Sequence, residues 1–301
     1  MVTQVTINKE YPMLGAMCIG TAAILWGTIA IFGKIMMLNG LSPEMTGCVK
    51  LLGSSVLLCL YFLCGKTSYF KITWHDTGRL IGVAFATQTV FNFSYYPVVK
   101  HLGVTGAGVL LYTMPIFLTI WSVIFFKEKL EVYKILGVAL CFSGSILAIT
   151  GGQFNLSSFS PHYVVLGLIA AISFSLVTVF CKVLLRTLRP LTVIFYAFFF
   201  GGLMMVPFVE IQAALPVLRK PIVLLSALGL ALIGSVIPYV VYYKGIELGV
   251  DLSKAGVISV LELVTSILLA ILLFGETLNL IKWVGVLCIV LAIILIQNPK
   301  R

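Results

Sequence analysis

Glu262 stands well inside an apolar run, 255–275, and is the only carboxylate set so deep in such a run. At mid-membrane a carboxylate costs at least about 2.5–3.5 kcal/mol even on the most lenient scale, so this one must face the protein interior. Three roles suit it there: a ligand for a substrate ammonium group, a group that takes up and releases a coupling proton, or a structural hydrogen bond to a neighbouring helix. Lys50 is its basic counterpart, about a third of the way along the run 44–65. Its four-carbon stem can carry the ammonium group to an interface. Otherwise it neutralises Glu262 or holds a substrate carboxylate. An acid and a base in one cavity would suit a zwitterion such as an amino acid.

Other polar groups recur at helical spacing inside apolar runs. Gln88, Asn92, Tyr95 and Tyr96 fall on one helix face. Tyr112 and Thr113 precede Pro115, and Ser235, Tyr239 and Tyr242 lie about a turn apart; Ser173, Ser175, Thr178 and Tyr196 add further hydroxyls. Lipid-facing helices have no use for such groups, so they predict a shared cavity. With Trp26, which is also mid-run, the substrate-binding candidates are Trp26, Gln88, Asn92, Tyr95, Tyr112, Tyr239 and Glu262, and Lys50 is the candidate charge partner. Tyr61, Tyr69, Tyr133 and Trp283 lie at run ends and suit interfacial anchoring.

Several other motifs predict no chemistry. Glu128 and Glu276 sit in matching Glu-x-Leu turns, where capping the next helix is the simplest role. His75, His101 and His162 occupy different run ends without ligand spacing, so no metal is expected. Gly103, Gly106 and Gly108 follow no strand and do not form a phosphate cradle. The seven cysteines lie almost entirely in apolar runs and act as small hydrophobes. Nothing implies a cofactor.

The elements that position these residues follow from composition. Sixty per cent of the 301 residues are hydrophobic, 10% are charged, and mean hydropathy is +1.13, which no water-soluble core could hide. Ten largely uncharged runs appear, at 11–33, 44–65, 80–99, 102–126, 135–150, 163–181, 190–209, 221–243, 255–275 and 283–298. Most approach the roughly 20 residues that cross about 30 Å of hydrocarbon. The chain is thus an all-α integral membrane domain of ten transmembrane helices, 1–301. The first twelve residues lack the basic region and cleavage site of a signal peptide, so the first run is a retained span.

The chain also repeats itself. Ala22 answers to Ala170, Lys34 to Lys182, Ala107 to Ala255, Glu128 to Glu276 and Lys134 to Lys282, all at a shift of 148 residues. Residues 13–150 form a first five-helix repeat, 151–162 a linker and 163–297 a second repeat. An odd number of spans per copy turns one copy upside down, the arrangement of secondary transporters whose site lies where the copies meet. Small residues Gly137, Cys141, Gly144 and Ala148 predict close packing, against the last span.

The net charge of +10 does not point to nucleic acid, because the basic residues scatter over short loops. Placing both termini in the cytoplasm puts most of the 20 Lys and Arg on that side, at 66–79, 127–134 and 182–189 among others. A cell-membrane, multi-pass protein working as a monomer or homodimer is the expectation.

The order and spacing of several short strings resemble the EamA type of the drug/metabolite transporter superfamily. In copy one these are Trp26-Gly27, His101 to Gly103, Met114-Pro115 and Phe126 to Leu130. Copy two carries Tyr239 to Gly249, Leu261-Glu262-Leu263-Val264 and Phe274 to Leu278. Two positions depart from that pattern. Leu263 stands where the family usually has proline, which predicts a straighter ninth span, and Lys50 stands where it usually has arginine. The resemblance implies a secondary transporter of small organic metabolites working by alternating access, export favoured, with amino acids or related zwitterions as the expected cargo. Cationic amines or quaternary ammonium compounds are the alternative. Phosphorylated cargo would want several cavity Lys or Arg, and only Lys50 qualifies. An integral-membrane enzyme would need clustered acids, histidines or a nucleophile with its base, which ten scattered acidic residues do not supply.

Overall fold

The computed structural model describes residues 12–153, 160–274 and 278–297, all helices and turns without a strand. Proline sets several starts. Pro43, Pro161, Pro190 and Pro221 lie in the first turn of α3 (Pro43–Leu63), α8 (Pro161–Leu184), α9 (Pro190–Met205) and α11 (Pro221–Ala231), where the missing N–H has no helical partner to lose. Ser42 completes the start of α3 by accepting from the Met45 amide at 3.1 Å.

Among the described residues nine helices are long and apolar enough to cross a bilayer. The remaining crossing runs through α4 (Trp74–Ala84), a π-helical turn (Phe85–Thr89) and the first part of α5 (Val90–Leu111). It is less apolar than the others because it carries Asp76, Arg79, Gln88, Asn92 and Ser94. Its direction reverses within α5. Phe91 packs on Phe174 and His101 stacks on Tyr163 at 4.2 Å, after which Leu110 returns beside Gly167.

The two copies pack across one another. In α7 (Val132–Thr150) Gly137 faces Ile296 and Gly144 faces Cys288 of α15 (Leu280–Gln297), as the small-residue stripe predicts; a Cβ on Gly144 would lie 2.8 Å from the Cys288 Cβ. A second seam joins α1 (Pro12–Trp26) to α12 (Ile237–Glu247). A π-helical turn, Leu232–Val236, precedes α12, and it matches the turn at Phe85–Thr89 in the first copy. Serines of the opposite copy reach both places: Ser54 Oγ donates to the Ala231 carbonyl at 3.2 Å, and Ser173 Oγ donates to the Ala86 carbonyl.

Three spans are interrupted near their middles. The first breaks after Trp26, before α2 (Ile29–Leu38); the fourth breaks at Tyr112-Thr113, before α6 (Met114–Phe126); the ninth breaks at Val260, between α13 (Leu252–Ser259) and α14 (Leu261–Phe274). Tyr112 and Val260 are equivalent under the 148-residue shift. Pro115 follows the fourth-span break directly, so the proline there accompanies a true interruption. The ninth span corrects the sequence expectation: it is not straight, although Leu263 replaces proline. Val260 N bonds to Val257 O at 3.2 Å and Leu263 N to Val260 O at 2.9 Å, a local tightening to three-residue bonds. Tertiary contact does the work here. Gly27, at the first-span break, admits Thr265 and the Glu262 carbonyl so closely that a Cβ would lie 2.6 Å from the Thr265 Cβ. Ser266 Oγ donates to the Gly27 carbonyl at 3.2 Å.

A second correction concerns Glu128. It does not cap the helix that follows it. Its Oε1 accepts from the Leu252 amide at 3.1 Å, the start of α13 in the other copy, and from Lys182 Nζ at 2.9 Å. Lys134 and Asp251 pair beside it at 2.8 Å. Sequence proximity favours a local cap, but the orphan amide that won lies 124 residues away. Glu276 falls outside the described residues.

Candidate functional site

Glu262 occupies the first turn of α14, immediately after the ninth-span break. The free amides at such a helix start favour a negative charge, and broken half-helices of this kind surround midplane sites in secondary transporters. Under the repeat its equivalent is Met114, in the first turn of α6, so only one copy supplies a carboxylate.

Four polar side chains lie within electrostatic reach of Glu262: Lys50 on α3, Tyr95 on α5, Tyr112 at the fourth-span break and Tyr239 on α12. Lys50, Tyr95, Tyr112 and Glu262 lie deep among the helices yet are only half-buried, so they border space that water-sized molecules can enter. No ion pair within 4.0 Å joins Lys50 to Glu262 among the described residues. The two charges face the same region without neutralising one another directly.

One wall of this region is aromatic. Trp26 meets Tyr239 edge-on at 5.3 Å and Tyr242 at 5.0 Å, and Phe198 meets Tyr239 at 4.9 Å. Tyr242 is fixed by a 2.7 Å hydrogen bond with Thr178. The Trp26 indole N–H is buried without a partner, an arrangement that leaves one donor unused. Gln88 neighbours Tyr239 and fits against α9 because residue 201 is glycine; a Cβ there would lie 2.6 Å from the Gln88 Cβ.

The structure therefore brings Trp26, Gln88, Tyr95, Tyr112, Tyr239, Lys50 and Glu262 to one region. Asn92 is placed one turn further along, where its amide donates to the Gln88 carbonyl and its side chain lines a cavity of about 200 Å³ with Glu44 and Phe208. Some hydroxyls expected in the cavity are used elsewhere. Tyr196 donates to the Phe70 carbonyl at 2.9 Å and Ser175 accepts from the Trp121 indole at 2.9 Å, both as ties between elements. Phe198 and the Gly27–Thr265 approach were not singled out in the sequence. An apolar ring and a glycine inside apolar runs carry no signal of their own.

The EamA-like transporter family matches residues 13–150 and again residues 162–297, once for each copy. The chain belongs to that family. Its ten-helix, two-repeat architecture is that of a membrane transporter, and its relatives agree. The inner membrane transporter YicL of Salmonella typhimurium is 23% identical over 93% of this chain and 94% of its own length. The transporter YetK of Bacillus subtilis is 23% identical over 94% of this chain and 86% of its own, and a transporter of Archaeoglobus fulgidus is 25% identical over 90% and 92%. A crystal structure 17% identical superimposes with a TM-score of 0.75 over 94% of this chain and 96% of that one, which supports the fold.

Proposed function

We propose that this EamA-family transporter carries small zwitterionic metabolites, amino acids or close relatives, by alternating access, with export as the working direction. The observation that carries the reading is the separated pair: Lys50 and Glu262 share one accessible region without an ion pair. A ligand with a carboxylate for Lys50 and an ammonium for Glu262 satisfies both charges, and the aromatic wall takes its apolar part. The unpaired Trp26 N–H offers the carboxylate a further donor. Asn92 belongs to the outward approach. The aromatic density beside Glu262 favours one second reading, a cationic amine held by rings and carboxylate.

A thermal-shift series on purified protein tests this. Amino acids, the corresponding amines and the corresponding carboxylic acids are compared at equal concentration. Ligands that bind only the folded state stabilise by mass action, by about 2.7 kcal/mol at a hundred times Kd. The expected result is a shift for molecules bearing both charges and little for either half. Equal shifts for the amines alone would replace the zwitterion reading by the amine one. We further propose an inner-membrane location with both termini and the loops at 66–79, 127–134 and 182–189 in the cytoplasm. A cysteine placed at Lys71 then stays unlabelled by impermeant reagents in intact cells, and strong labelling would reverse the orientation.

A further inference from the structure

At the end of the bundle opposite the Lys182–Glu128 pair, a cavity of about 200 Å³ opens between α3, α5 and α9, and its lining includes neither Lys50 nor Glu262. Two of its polar groups are acceptors. Glu44 contributes a carboxylate from the first turn of α3. Asn92 is 7% exposed, and its Nδ2 donates one of its two hydrogens to the Gln88 carbonyl, which leaves Oδ1 as an acceptor and one N–H for the cavity. Among the described residues no basic side chain lines it. Phe93 and Phe208 meet edge-to-face at 4.5 Å and are 44% and 65% exposed on the outside of the bundle, where hydrocarbon lies.

The one charge in the lining, the Glu44 carboxylate, beside two rings, favours a cation that carries N–H groups and an apolar body. An anion would face that carboxylate. The size is also informative, because a cavity of about 150 Å³ accommodates benzene, so about 200 Å³ suits a short aryl-alkyl or alkyl ammonium. Rings so placed hold an ammonium by cation–π attraction, more strongly where water is excluded. Glu44 sits at the membrane-facing end of its span, where the charged head of an amphiphile meets the interface.

We propose that this cavity is a peripheral binding site for a small amphiphilic ammonium compound, distinct from the midplane pair. Gln88 links the two regions, since its side chain neighbours Tyr239 of the midplane group and its carbonyl accepts from Asn92 one turn away. A bound amine therefore rests one helical turn outward of the transport site.

The probe is phenethylammonium chloride, titrated calorimetrically into the full chain carrying Glu262→Gln, so that any amine site at the midplane lacks its carboxylate. One equivalent of binding is expected to persist in that background. Adding Glu44→Gln, which keeps a first-turn side chain of the same size, should weaken it at least about tenfold, as loss of a charged hydrogen-bond partner does. Val209→Trp, placed in the cavity wall, should abolish it. Phe208→Ala tests the same wall at an exposed position whose truncation leaves the core intact, and should also weaken binding. Neutral 2-phenylethanol should bind at least about tenfold more weakly than the amine. Loss of all amine binding in the Glu262→Gln background would place the amine at the midplane and overturn the proposal. So would an affinity unmoved by Glu44→Gln and Phe208→Ala, which would leave Glu44 as a helix-end charge only.

Discussion

Lys182 and Glu128 meet at 2.9 Å with side chains 13% and 9% exposed, whereas Lys50 and Glu262 stand apart beside enterable space. In the first pair Glu128 Oε1 takes both Lys182 Nζ and the Leu252 amide, while Oε2 is buried without a partner among the described residues. Lys182 lies 4.5 Å above the Phe126 ring. It joins the end of α6 to the end of α8 and the start of α13, tying copy one to copy two. Such a pair offers little to a ligand, and its worth is measured by the cost of breaking it. The second pair offers both charges at once. Glu262 receives no side-chain hydrogen bond among the described residues, and its nearest polar company comes from four different helical segments. Identical residue types thus form a clamp at one end of the bundle and, in the function proposed here, a recognition element at its middle.

The largest expected effect is on the clamp. Lys182→Met leaves the Glu128 carboxylate buried without its cation and should destabilise the protein by about 3–5 kcal/mol. The double variant Lys182→Met, Glu128→Gln removes the charge yet keeps an acceptor for the Leu252 amide, and should recover most of that loss. Lys50→Met, by contrast, should change stability by less than about 1 kcal/mol, because no contact partner is orphaned. Denaturant unfolding in detergent measures all three, and equal losses for Lys182→Met and Lys50→Met would erase the contrast.

A smaller effect separates the break from the helix that follows it. Leu263→Pro falls in the first turn of α14, where the chain is already interrupted, and should cost little more than the single Leu263–Val260 bond, about 1 kcal/mol. Ile267→Pro, in the body of α14, should cost about 3 kcal/mol or more. Thermal unfolding that ranks the two the other way would mean that the Val260 interruption closes in solution. Thr178→Val removes one buried hydrogen bond to Tyr242 and should cost about 1–3 kcal/mol on thermal unfolding, with transport altered only through the Trp26–Tyr242 contact.

Much of this layout was legible in the sequence. Composition gave the membrane, run lengths gave the crossings, and the 148-residue shift gave the repeats. The small-residue stripe on α7 worked because its cause is local: a missing or short side chain. What escaped was decided at long range. The π-helical turns at Phe85–Thr89 and Leu232–Val236 have no residue signature, since the extra residue is accommodated by serines on other spans. The Val260 break has no proline to announce it; the glycine that makes room lies in the first span. Glu128 found an amide of the other copy, which no spacing rule reaches. For the candidate residues, type and depth identified Glu262 and Lys50, while their separation is a property of tertiary packing alone.

The central claim is that Lys50 and Glu262 act as two separate halves of one binding site. Its most direct test is reconstituted flux of an amino acid found by the thermal-shift series, in Glu262→Gln, Lys50→Met and wild-type proteoliposomes, each with folding checked by unfolding. The account predicts that each variant loses at least about tenfold in transport while remaining folded. It also predicts that Lys50→Met accepts the decarboxylated amine as well as it accepts the parent, because the carboxylate no longer has a partner to satisfy. Wild-type flux in Glu262→Gln with an unchanged pH profile would contradict the account and leave the tyrosines, Trp26 and Gln88 as the recognition element.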